Sequence, residues 1–137
     1  MKLIIYTDGG ARGNPGPAGS GAVIYDSQMN VIKECSKFFE KATNNQAEYE
    51  ALILGLGKAK ELKATEIDFY SDSQLIVEQL NQRYKIKNPN LGVLFIKIWN
   101  LSQSFKKVNF YHIPREKNKR ADKLVNEVIN KNINLSR

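Results

Sequence analysis

Two apolar runs in this chain end on a carboxylate: LIIYTD closes at Asp8 and IDFYSD closes at Asp72. The first alternates as a strand does, with Leu3, Ile5 and Thr7 on one side and Ile4, Tyr6 and Asp8 on the other. A helix-length segment lies between the two runs, which permits parallel pairing of the strands. Both acids would then stand together at one sheet edge, where open α/β sheets bind ligands.

The remaining segments fit around that pair. DGGARGNPGPAGSG holds six of the nine glycines and reads as a tight loop leading into a second strand, GAVIYD, with VIKECSKFF as a third after a turn at Asn30. Thr43 and Gln46 have capping-box spacing before AEYEALILGLGKAKEL, on whose helical face Leu52, Leu56 and Ala59 recur. Strand TEIDFYSD follows, with Ile67 and Phe69 inward, then a helix capped by Ser73 and a polar, basic stretch, NQRYKIKNPN. Leu91 to Ser104 reads as helix and KVNFYHI as a fifth strand. Asn118 is positioned to cap a last helix carrying Ala121, Leu124, Val125, Val128 and Ile129. Three antiparallel strands, then parallel ones, give an α/β fold: a five-stranded mixed sheet flanked by helices.

A chain of 137 residues, 42% hydrophobic and 26% charged, suits a single domain over 1–137. Its formal charge of +7 favours a polyanion such as nucleic acid, although excess lysine also serves solubility alone. The one cysteine, Cys35, excludes an internal disulfide and a thiolate metal cage, and fits a small apolar packing role. No stretch approaches the roughly 18 apolar residues of a membrane span, and the N-terminal apolar run is too short for a signal peptide. A cytoplasmic setting without a membrane partner is the default reading.

Two further acids fall on apolar helical stripes: Glu48 with Leu52, Gly55 and Ala59, and Asp122 with Val125 and Ile129. Singly, each could be a charge that favours a helix N-terminus. Four converging carboxylates are another matter. At about 5 Å and an effective dielectric near 20, each pair repels by roughly 3 kcal/mol, so a counter-charge is required. Without a Cys/His set, that points to hard, oxygen-loving cations, two Mg²⁺ or Mn²⁺, and to hydrolysis of a phosphodiester. Asp68 and Glu50 are read as solvated surface charges, off the strand end and off the apolar face respectively.

YTDGGARGNPGPAG, TNNQAEYEAL, YSDSQL and HIPREKNKRAD, in this order and over nearly the whole chain, closely resemble ribonuclease HI. The resemblance implies an enzyme that cuts the RNA strand of an RNA/DNA hybrid with two Mg²⁺, leaving 5′-phosphate and 3′-hydroxyl ends. Its four metal-binding acids map onto Asp8, Glu48, Asp72 and Asp122. It also implies that the loop Gly9, Gly10, Ala11, Arg12 and Asn14, with Asn44, Asn45 and Gln46, lines the hybrid's minor groove, and that Gln74 contacts it near Asp72. Backbone and amide groups suit the reading of 2′-hydroxyls, while the same asparagines also suit turns and caps. Lys41, Thr43 and Asn88 match positions that hold a DNA-strand phosphate.

The chain departs from the family pattern in two places. Between Asp72 and Asn88 there is no room for the extra helix and basic protrusion of some members, and Lys85 and Lys87 in YKIK stand in weakly. The loop that carries a histidine in many members is abbreviated; the single histidine, His112, reads as a strand-end residue, and Arg115 is the candidate to hold the scissile or departing phosphate. A monomer without an obligatory protein partner is expected. The alternatives are a catalytically idle nucleic-acid-binding module and a nuclease for double-stranded RNA or branched DNA.

Overall fold

The alternating segment at the N-terminus is strand β1, Lys2–Ala11, and it runs on through the first glycines. The structure, a computed structural model, describes residues 1–135. Strand β2, Gly16–Tyr25, also takes in glycines expected to be loop, so only a short turn separates the two. The reason is lateral: Gly9, Gly10 and Ala11 pair with Ser20, Gly19 and Ala18, and that ladder outweighs glycine's weak strand preference. Strand β3, Val31–Ala42, follows a turn in which Asp26 accepts from the backbone of Gln28 and Asn30.

Helix α1, Asn44–Glu61, starts at the anticipated capping box: Thr43 and Gln46 each bond the other's backbone N–H. Strand β4, Glu66–Ser71, leads to α2, Gln74–Leu80, where the Ser73 hydroxyl accepts from Ile76. Helix α3, Pro89–Ser102, begins at an Asn88 cap, and β5, Lys107–His112, connects through a short 3₁₀ turn to α4, Lys119–Leu135. None of the described helices is long and apolar enough to cross a membrane.

The sheet order is β3-β2-β1-β4-β5, with β1 antiparallel to β2 and parallel to β4. One face carries Leu3, Ile5, Ile67 and Phe69 beneath Leu52, Leu56 and Ala59 of α1, forming the main core. Cys35 packs against its margin, as a small apolar residue would. The other face bears α4 over β2, close enough that a Cβ on Gly19 would meet Val128 at 2.7 Å. Beside α4 on that face, Tyr25, Tyr6, Tyr70 and Tyr111 form a row of neighbouring rings across four strands.

Asp68 departs from its reading as a solvated charge. It is buried, with 7% exposure, and is held by the Lys2 ammonium at 2.8 Å and the Asn109 amide at 3.0 Å. Those partners hold its carboxyl below the usual range against the opposing effect of burial. It has its own counter-charge and takes no part in the acidic cluster.

Candidate active site

Parallel pairing of β1 and β4 ends at Thr7 and Ser71, so the next residues, Asp8 and Asp72, stand side by side at the sheet edge. Glu48 comes to them from α1. Ser20 donates its hydroxyl to the Ala47 carbonyl at 2.6 Å, and Gly9 donates its N–H to Glu48 Oε1 at 2.7 Å. These bonds draw the start of the helix onto the β1–β2 hairpin. Carboxylate oxygens of Asp8, Glu48 and Asp72 all lie within 4.8 Å of one another.

Asp122, in the first turn of α4, lines the same cavity from the other side of the sheet, outside the three oxygens that converge within 4.8 Å but near enough to help raise the Asp8 carboxyl. It is exposed on the rim, unlike Glu48, instead of facing into the sheet. All four acids and Arg115 line one open cavity of about 410 Å³. Arg115, on the 3₁₀ turn, is close enough for its charge to favour ionised Glu48.

The electrostatics describe a site short of positive charge. Burial, followed by the charges of Glu48 and Asp72, pushes the Asp8 carboxyl up to about 9. Burial likewise raises Glu48 to about 7, against the opposing bonds from Asp8 and the Gly9 N–H. Asp72 is held from a third direction: Asn118, 1% exposed, donates its amide to the Thr7 carbonyl at 2.8 Å and to Asp72 Oδ2 at 3.2 Å. The sequence position of Asn118 suggests a helix cap. Only its backbone carbonyl serves α4, accepting from Asp122, while its side chain ties the sheet edge to the acid.

A dication fits this donor set. Hard cations take carboxylate oxygens at about 2.0–2.6 Å, a reach that bridges three oxygens so disposed. It would also neutralise the clustered charge that burial makes costly.

The other anticipated residues divide between the cavity and its surroundings. Gly9, Gly10, Ala11, Arg12, Asn44 and Asn45 line the cavity with the acids. Asn14 supports them by accepting the Asn44 N–H at 2.9 Å, and Asn44 in turn accepts from Ala11 at 2.7 Å. The backbone donors of Gly9 and Ala11 are therefore engaged within the protein. Gln46 is occupied in the capping box, and it lines a separate groove with Lys41 and Asn90. Thr43, Gln74, Lys87 and Asn88 lie outside the cavity lining, whereas Ser73 belongs to it. Asn126, also in the lining, bears no signal in the sequence beyond its place one helical turn after Asp122.

A family profile described as reverse transcriptase-like matches residues 6–128. The chain is 44% identical over 130 residues to a bifunctional protein of Mycobacterium tuberculosis, covering 94% of this chain but 36% of that protein. It therefore spans about a third of that relative's length. A ribonuclease H of Chlorobium limicola is 33% identical, with 96% of this chain and 97% of the relative covered. Among solved structures, LC11-RNase H1 in complex with an RNA/DNA hybrid superposes with a TM-score of 0.92 at 48% identity, covering 96% of this chain and 99% of that one.

Proposed function

The chain belongs to the ribonuclease H family, and we propose that it is a metal-dependent endonuclease that hydrolyses the RNA strand of RNA/DNA hybrids, leaving 5′-phosphate and 3′-hydroxyl ends. The observation that carries this reading is the meeting of Asp8, Glu48 and Asp72 within 4.8 Å at the floor of an open cavity. Two Mg²⁺ ions, or Mn²⁺ in their place, would be held by these acids together with Asp122. When bound, such ions supply a nucleophile at neutral pH and neutralise charge developing on the phosphoryl oxygens.

The protein's own groups do the rest. Arg115 offers a fixed guanidinium to the scissile or departing phosphate from the cavity rim. Asn44 and Asn45 present amides to the 2′-hydroxyls that distinguish RNA from DNA. Lys41 and Asn88, near the groove that Lys41 shares with Asn90, would take the DNA-strand phosphates, and the net charge of +7 would strengthen binding at low salt. Only α2 lies between Asp72 and Asn88, so this grip forms without a basic protrusion. A monomer in a reducing, cytoplasmic setting completes this reading.

The test is cleavage of a hybrid labelled on its RNA strand, with and without Mg²⁺, in competition with double-stranded RNA and branched DNA. Metal-dependent scission of the RNA strand, outcompeting the other substrates, is the expected result. Tight binding without scission would instead make the protein an idle module of the same fold.

A further inference from the structure

Each acid that projects from a helix or follows a strand has its own holder: Gly9 for Glu48, Asn118 for Asp72, and, for the exposed Asp122, Asn126. The Asn126 amide donates to Asp122 Oδ2 at 3.3 Å and to the Asp122 carbonyl at 3.1 Å. Its other end accepts from the Arg12 guanidinium at 3.5 Å, and the same guanidinium bonds the side-chain oxygen of Asn130. An asparagine amide has one accepting and one donating end, whereas arginine only donates. Arg12 therefore fixes which end is which. With Oδ1 turned to Arg12, the amide can present only its NH₂ to the carboxylate.

We propose that Asn126 is a positioning residue for Asp122 and that Arg12, from the β1–β2 hairpin, sets the polarity of its amide so that the exposed acid is pre-aimed at the metal. This rests on the metal-dependent reading above. It gives Arg12 a task other than contacting substrate, and it joins the hairpin to α4 at the point where the cluster is least enclosed. Partners that orient metal ligands typically change metal affinity by about 10–100-fold when removed. All three side chains of the relay are exposed, so the fold does not depend on them.

The experiment is Mn²⁺ binding by calorimetry in the absence of substrate, joined to steady-state kinetics at varied metal concentration. Asn126→Leu should weaken metal binding about ten-fold and leave the melting temperature of the metal-free protein unchanged. Asn126→Gln, which keeps the donor, should recover most of the affinity. Arg12→Leu should weaken metal binding in the same direction, and combining it with Asn126→Leu should add nothing, the signature of one shared interaction. Unaltered metal affinity in Asn126→Leu overturns the proposal. So does Arg12→Leu with a raised KM for hybrid and normal metal affinity, which would make Arg12 a phosphate contact. A parent protein that binds no metal removes the metal reading and the relay together, an outcome distinct from either.

Discussion

Gly9 and Glu48 are joined by a 2.7 Å bond from backbone N–H to carboxylate, and they approach so closely that a Cβ on Gly9 would stand 2.4 Å from the Glu48 nitrogen. The obstructing atoms are backbone, which no change of rotamer can move aside. Gly9→Ala should therefore destabilise by about 3 kcal/mol, the upper part of the range for overpacking, and should abolish cleavage by lifting α1 and its acid from the sheet edge. Urea melts and a hybrid-cleavage assay read the two effects; a variant of parental stability would show that the contact yields more easily than its geometry allows.

The raised carboxyls of Asp8 and Glu48 set the sign of a second effect. Both groups hold a proton more tightly in the fold than free carboxyls do, at about 9 and about 7. Their contribution to stability is thus complete below the unfolded value of about 4 and is lost as pH rises through the folded values. Chelator-treated protein should melt at progressively lower temperature from about pH 5 to about pH 9. Asp8→Asn should flatten that slope without lowering stability, and Mg²⁺ should restore the parent at high pH by binding only the folded form. A metal-free melting temperature that climbs over this interval would contradict the clustering of these acids.

Strand periodicity made Asp8 and Asp72 legible, and the Thr43–Gln46 capping box marked the helix that carries Glu48, because each of these signals is local. Features created by lateral neighbours were not legible. The glycine-rich stretch reads as loop until β2 supplies a ladder for Gly9 to Ala11. Asp68 reads as a surface charge until β1 and β5 bring Lys2 and Asn109 to it. Asn118 resembles a cap because its position before α4 is visible, while its partners Thr7 and Asp72 are distant in sequence.

Arg115 lines the acid cavity, whereas His112 lies exposed at the end of β5 and does not. His112→Ala should leave the pH dependence of cleavage unaltered. A limb near the free imidazole value of about 6.5 that disappears in this variant would assign the histidine a proton-transfer role after all. Arg115→Ala should lower kcat/KM roughly a hundred-fold, comparable with loss of a single well-placed donor to transition-state charge. Arg115→Lys should recover only part of that, since an ammonium lacks the planar fork that grips phosphate.

Asn118 sits between two acceptors, the Thr7 carbonyl and Asp72, and only an NH₂ group satisfies both. Its amide oxygen is buried without a hydrogen-bond partner, so this orientation already leaves one acceptor unsatisfied. Asn118→Asp would set a further carboxylate against these oxygens, and in the metal-free protein it should cost about 3 kcal/mol or more, the penalty of an uncompensated buried charge. Asn118→Ala removes the donor without adding charge and should cost less, about 1–3 kcal/mol for the acceptors left unpaired. The ordering of the two variants is the diagnostic, because a residue acting as a helix cap would show the reverse: aspartate caps about as well as asparagine, and alanine does not. Chemical denaturation of both proteins in chelator decides between the tether and the cap.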